Sequence, residues 1–224
     1  MSGPLIHSVA RRAVLAGGLA AALALSGACS SDASVPAPSR APRQPSPVPG
    51  GRVLLAYFSR AGMNYHYGGR RYLQVGNTEV LTGLISATIR CDVHRIEPVE
   101  PYPDDYEATV ARNVDEQDGN ARPGIANSLD SIAGYDTIIL ASGIWNARAP
   151  MIMTTFTERY DFTGKTVLPV TTYAVSGLGR TETDYAASCR GAVLGEGLAV
   201  RGEEVATPAT ATTRWLQQVG LTPA

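Results

Sequence analysis

The chain has 224 residues, with 19 Lys and Arg against 20 Asp and Glu and a net charge of −1 near neutrality. That balance excludes the basic face a nucleic-acid partner requires. In chain order, Arg11 and Arg12 precede the uncharged run Ala13 to Cys29, which reads as the basic head and apolar body of an export signal over residues 1–29. Its apolar part is shorter than the roughly 20 residues of a spanning helix, and no later segment is long and apolar enough to span. Residues 30–52 are rich in Pro, Ser and Ala; they bury too little surface to offset their ordering entropy and predict a disordered tether. Removing the leader before Cys29 takes Arg11 and Arg12 away and leaves 17 basic against 20 acidic residues, a net charge of −3. Residues 53–224 then suit one domain with its own core. Lys165 is its only lysine.

Within that domain apolar runs of strand length alternate with segments of helical period, the pattern of a parallel sheet covered by helices on both faces. "VLLAYF" (53–58) and "TIILAS" (137–142) are nearly all apolar, as central strands must be. "TVLPVTT" (166–172) is a third, although Pro169 removes one amide from its ladder. "CDVHRIE" (91–97) alternates and reads as an edge strand, and a fifth strand is expected within 191–200. Leu81, Leu84, Ile85 and Thr88 repeat at helical spacing behind Thr78, whose hydroxyl is suited to cap the helix with Glu79 in its first turn. Tyr106, Val110 and Val114 form a second stripe. Pro150 opens a third helix, and Leu216 and Val219 give the inward stripe of the last, stopped by Gly220. Right-handed crossovers favour a doubly wound α/β sheet of five strands, in which ligands bind beyond the carboxyl ends of the strands.

The loop after the first strand carries the residue types that hold a phosphate. Ser59, Asn77 and Thr78 offer hydroxyl and amide donors, Gly62 and Gly76 let the backbone close, Arg60 is placed to neutralise charge, and a helix N-terminus follows. The segment "MNYHYGGRRYLQV", Met63 to Val75, splits this set in two. Because loop closure costs only about 0.6 kcal/mol per doubling of length, one interrupted site is expected. The insert then emerges beside it, with Tyr65, His66, Tyr67 and Tyr72 either forming a flap over the ligand or filling a small cluster of their own.

"AYFSRAG" followed by "GNTEVL", then "YDTIILASGIWNARAP", then "GKTVLPVTTYAVSGLG" resemble a flavodoxin-family domain, in order and with similar spacing across residues 53–220; "EPYPDDY" and "RPGI" resemble two further landmarks. The resemblance implies sheet order 2-1-3-4-5 and FMN as cofactor. It assigns the phosphate to Ser59, Arg60, Ala61, Gly62, Gly76, Asn77 and Thr78. Gly143, Ile144, Trp145 and Asn146 would meet the flavin, with Trp145 either lying against the ring or packing in the ordinary way. Tyr173, Ala174, Gly177 and Gly179 would run along its pyrimidine side, with Tyr173 over the other face. Gly143 stands where relatives often have proline. "ARRAVL" resembles a twin-arginine signal, with Val14 in place of the usual phenylalanine. "LSGAC" resembles a lipoprotein cleavage box, so that Cys29 is either acylated or incidental to a plain secretion signal.

Sharper motifs fail. Gly164-Lys165-Thr166 lacks the earlier glycine of a triphosphate loop, since position 159 is Arg159, and it precedes its strand. "AVSGL" around Ser176 misses both glycines of a nucleophile elbow, and no histidine follows His94. Cys91 and His94, three apart on a strand, point to opposite faces and share no metal. In the family's strand order Cys91 and Cys189 lie at opposite edges, too far apart for a disulfide. "GLGRTE" is a partial dinucleotide fingerprint in the wrong place.

These readings converge on an exported, lipid-anchored, FMN-binding redox protein that carries electrons in the cell envelope, with a redox partner protein or a small acceptor such as a quinone, and with the membrane met only through the lipid. An FMN-dependent quinone reductase and a cofactor-free binding module are the alternatives. Mild acidity, against the strong acidity of dedicated carriers, favours a small acceptor or a weakly steered partner.

Overall fold

The computed structural model describes residues 51–207 and 209–221. The leader, Cys29 and the tether up to position 50 lie outside the described residues. Strand β1 (Val53–Tyr57) is followed by two short strands, β2 (Gly62–His66) and β3 (Gly69–Leu73), then helix α1 (Asn77–Thr88), β4 (Asp92–Arg95), α2 (Tyr106–Asp118), β5 (Thr137–Gly143) and α3 (Met151–Arg159). β6 (Thr166–Tyr173), α4 (Thr181–Ser188), β7 (Val193–Leu194), β8 (Leu198–Arg201), a single 3-10 turn (Gly202–Glu204) and α5 (Ala209–Gln218) complete the order.

The main sheet runs β4-β1-β5-β6-β7, with β8 also on β6, and all its pairs are parallel. Successive side chains of β1 enter opposite cores, as period-two geometry requires. Val53, Leu55 and Tyr57 pack with Leu81 and Ile85 of α1 and Trp215 and Leu216 of α5. Leu54 and Ala56 pack with Ile152, Met153 and Phe156 of α3 and Tyr185 of α4. Helices therefore cover both faces.

The expected single fifth strand is broken into β7 and β8, and Pro169 supplies the reason. The Val167 carbonyl accepts from Gly195 on the fifth-strand side, and Pro169, two residues on, faces the same way, its carbonyl 3.3 Å from where a Cβ on Gly197 would stand. Proline has no amide to offer there, so the ladder lapses. The Glu196 carbonyl instead accepts from Trp215 Nε1 at 2.9 Å.

The insert takes a definite form, and two helical stripes need correction. The insert is a β-hairpin: β2 and β3 pair antiparallel through Tyr67 and Gly68, whose φ values of 45° and 87° are those of a two-residue type I′ turn. In α1, Leu81 and Ile85 are buried but Leu84 is not. In α2, the stripe Tyr106, Val110, Val114 does not face the core; Thr109, Asn113 and Glu116 are the buried residues. Glu116 is held by Tyr102 Oη at 2.9 Å and Arg112 Nε at 2.8 Å, which satisfies its carboxylate away from water.

Gly164 turns with φ 75°, and Lys165 Nζ donates to the Tyr135 carbonyl at 2.7 Å, a structural anchor. Cys91 packs with the α1 and α5 side and Cys189 with the α3 and α4 side. Burial pushes the Cys189 thiol up to about 12, so at pH 8 it stays protonated and unreactive. Mass-spectrometric mapping after iodoacetamide treatment at pH 8 is expected to find Cys189 unmodified in native protein and labelled after urea unfolding; labelling of the native protein would contradict its placement.

Candidate functional site

A cleft of about 380 Å³ opens where the loops after β1, β5 and β6 meet, within the usual range of small-molecule pockets. Ten of the residues expected from sequence line it: Ser59, Arg60, Asn77, Thr78, Gly143, Ile144, Trp145, Asn146, Tyr173 and Ala174.

The two halves of the split loop come together. Ser59 Oγ accepts from the Glu79 amide at 3.1 Å. Gly76 precedes α1 in extended conformation; a Cβ there would lie 2.5 Å from the Arg60 carbonyl oxygen and closer still to Ser59 Oγ. Only glycine permits this approach. Capping is therefore done by Ser59, not by Thr78. The Thr78 hydroxyl instead makes a buried 2.7 Å hydrogen bond with Thr172 Oγ1 at the end of β6. Among the described residues the amides of Asn77 and Thr78 have no partner, and first-turn amides with the positive helix end form an anion seat. Glu79, the acid of this turn, pairs with Arg95 at 3.1 Å.

Arg60 does a second job besides bordering the cleft. Its Nη1 donates to the carbonyls of Pro103 at 2.9 Å and Asp104 at 3.2 Å, and Nη2 to that of Met63. Met63 in turn donates its amide to Asp104 at 2.8 Å. Gly62, with φ 90°, leaves no room for a Cβ against the Asp104 carbonyl. The hairpin root is thus fixed to the loop before α2. Burial lowers the Arg60 pKa, opposed by Asp104. Ala61, Gly62 and Gly76 shape this loop without lining the cleft.

Beyond β5, Ile144 donates its amide to Thr172 at 3.0 Å. Trp145 sits edge-on to Phe58 and Tyr102, with ring centroids 5.6 and 5.0 Å away, so it packs as an ordinary aromatic and also borders the cleft. Asn146 and Ala147 turn with φ of 50° and 62°. Gln117 of α2 clamps this turn, donating to the Trp145 carbonyl at 3.0 Å and accepting from Asn146 Nδ2 at 2.9 Å. Gly179, at φ 53°, closes against the Ala147 carbonyl, and the Gly177 carbonyl accepts from Thr171 Oγ1 at 3.0 Å. These two glycines shape the third loop behind the cleft. Arg201 lies 5.8 Å over the Tyr173 ring.

Several lining residues were missed. Tyr106, Thr109, Val110, Asn113 and Val114 come from α2, and Gly202 and Glu203 from the turn after β8. The α2 set carries a signal, its apolar stripe, which by period alone reads as core-facing. Glu203 carried none. The hairpin contributes Asn64 and Tyr65 to the lining, and its tip is latched where the Tyr67 amide donates to Glu203 Oε1 at 2.9 Å.

A family model described as flavodoxin matches residues 52–219. Among solved structures, a protein of Bacteroides uniformis described as a flavoprotein is 27% identical, with a TM-score of 0.59, covering 75% of this chain and 98% of its own. One from Bacteroides eggerthii is 26% identical, with a TM-score of 0.59 and coverage of 77% and 99%. A flavoprotein of Lactobacillus acidophilus in complex with FMN shares 16% identity at a TM-score of 0.50, with coverage of 70% and 97%, and so shares the fold. No curated protein matches.

Replacing Ser59 with alanine removes the acceptor that holds the Glu79 amide. Urea denaturation is expected to register a loss of about 1 kcal/mol; an unchanged midpoint would mean that the hydroxyl does not hold the two halves of the loop.

Proposed function

Because the chain belongs to the flavodoxin family, we propose that it is an FMN-binding redox protein that passes electrons through its flavin in the cell envelope. FMN is its cofactor. The residues present fit that group: a hydroxyl, two unpartnered amides and a helix N-terminus converge at Ser59, Asn77 and Thr78, where a phosphate monoester finds donors and no facing Glu79 carboxylate. The observation that carries the reading is the closure of Ser59 onto Gly76 and Glu79 across the inserted hairpin.

Trp145 and Tyr173 border the cleft and would hold the flat ring. Trp145 is set by Phe58 and Tyr102, so its orientation is fixed before any ligand arrives, which lowers the entropy lost on binding. When bound, FMN supplies the reversible uptake of electrons, and the protein supplies orientation and electrostatics. A small acceptor is favoured over a strongly steered carrier partner by the mild net charge and by the hairpin residues Asn64 and Tyr65 in the cleft lining.

Titration of the apo protein tests this. FMN is expected to bind at least about tenfold more tightly than riboflavin, one charge-assisted hydrogen bond being worth roughly 1.5–3 kcal/mol. Gly76→Ala, whose methyl would displace Ser59, is expected to abolish that preference while far-UV circular dichroism stays native. A colourless protein that ignores FMN would leave the cofactor-free alternative standing.

Export and anchoring rest on the sequence of residues 1–29 alone. Metabolic labelling with a clickable palmitate analogue is expected to mark the chain and to be lost in Cys29→Ser; labelling that survives this substitution places the lipid elsewhere, and no labelling at all leaves plain secretion.

A further inference from the structure

One side of the cleft has a chemistry that a phosphate and its ribityl chain do not call for. Tyr106, Val110 and Val114 follow one another at i, i+4 and i+8 on α2 and all line the cleft. The two valines are 38% and 39% exposed, an apolar strip held open to solvent on a helix whose buried residues, Thr109, Asn113 and Glu116, are all polar. Tyr65 of the hairpin lines the same cleft. Arg70, also of the hairpin, lies 3.7 Å over the Tyr106 ring and 6.0 Å from that of Tyr65, and its charge is met by Glu107 at 3.0 Å. The wall formed by Tyr65, Tyr106, Val110 and Val114 is therefore aromatic and aliphatic, and the guanidinium beside it, Arg70, is paired with Glu107.

A second observation gives the strip a polar address. Asn113, between the two valines, is only 3% exposed yet lines the cleft. Its Oδ1 accepts from Gln117 Nε2 at 3.1 Å, which orients the amide. Nδ2 donates no hydrogen bond among the described residues and is the donor Asn113 offers to a ligand. A nearly buried donor beside an apolar strip selects a molecule with a flat uncharged body and a carbonyl oxygen, because a ligand without the acceptor would leave the amide desolvated and unpaired.

We propose that this compartment is an acceptor subsite for an aromatic carbonyl compound of quinone type, its ring against Val110 and Val114 beside Tyr65 and its oxygen on Asn113 Nδ2. The inference rests on the reading of the cleft as an FMN site and names the acceptor class for it.

Isothermal titration of the FMN-loaded full chain decides the matter, with 2,3-dimethyl-1,4-naphthoquinone, whose methyl groups block thiol addition, compared with 2,3-dimethylnaphthalene. The quinone is expected to bind at least tenfold more tightly than the hydrocarbon. Asn113→Asp keeps an acceptor for Gln117 but presents oxygen to the ligand; it is expected to lose at least tenfold for the quinone and to leave the hydrocarbon unchanged. Val110→Asp, on a side chain more than a third exposed, is expected to weaken both at least tenfold and carries the test if the Asn113 variant does not fold. FMN affinity is measured in parallel for each variant. Equal binding of the two probes, or variants that leave quinone binding unchanged, would overturn the subsite. A parallel fall in FMN affinity would overturn it too, by making the strip part of the flavin seat. Failure of the wild-type chain to take up FMN is a separate result that removes the functional reading itself.

Discussion

Closing a binding loop that has been cut in two demands that the cut ends touch, and here they do so at a point where no side chain beyond hydrogen fits. Gly76 lies against Ser59 and the Arg60 carbonyl, and the Ser59 hydroxyl reaches across to the Glu79 amide. Loop-closure entropy grows only slowly with length, but a floppy excursion would still leave the ends free to separate. The excursion is not floppy. Its two strands pair along their length, its turn has the type I′ geometry that matches strand twist, and its root is fixed by Arg60 and the Met63 amide to the 103–104 backbone. The position of every donor at the mouth of α1 follows from that closure.

The parallel sheet does the remaining positioning. In such a sheet all carboxyl ends lie on one edge, so Ser59, Trp145 and Tyr173, from three separate strand ends, meet around one cleft. Thr78 and Thr172 lock the first turn of α1 to the end of β6 through a buried hydroxyl pair. Pro169 has a less direct effect. By breaking the fifth strand it lets β8 restart beside the second half of β6, and the turn that follows β8 brings Gly202 within contact of the Asn77 amide group and Glu203 to the hairpin tip.

Much of this was legible because burial on both faces leaves a plain signature. The apolar runs at 53–58, 137–142 and 166–172 could only be central strands, and the structure places β1, β5 and β6 there. The hairpin was opaque for the opposite reason: "GMNYH" and "GRRYL" are short, glycine-led and rich in polar side chains, so their period is too brief to separate them from loop, and the clearest signal lay in the turn Tyr67-Gly68. The α2 stripe misled in another way. Periodicity reports that one helical face is apolar and says nothing about what that face meets; Val110 and Val114 meet a cleft. Glu203 was silent because nothing local distinguishes an acid that latches a distant hairpin from one that faces water.

The two halves of the cleft are built from different materials, and this has a consequence for how the protein can vary. At the α1 end the groups are backbone amides, glycines and short hydroxyls whose places are dictated by the sheet and by close approach, so nearly any substitution there disturbs the chain itself. At the α2 end the lining is a row of side chains on one helix and on an inserted hairpin, projecting from backbone that is fixed elsewhere by Arg60, Gln117 and Glu116. Exchanging Val110, Val114 or Tyr65 alters shape and polarity without touching those anchors. An anion seat that resists change beside a wall that tolerates it allows the compound met at the wall to diverge while the group held at the helix terminus stays the same.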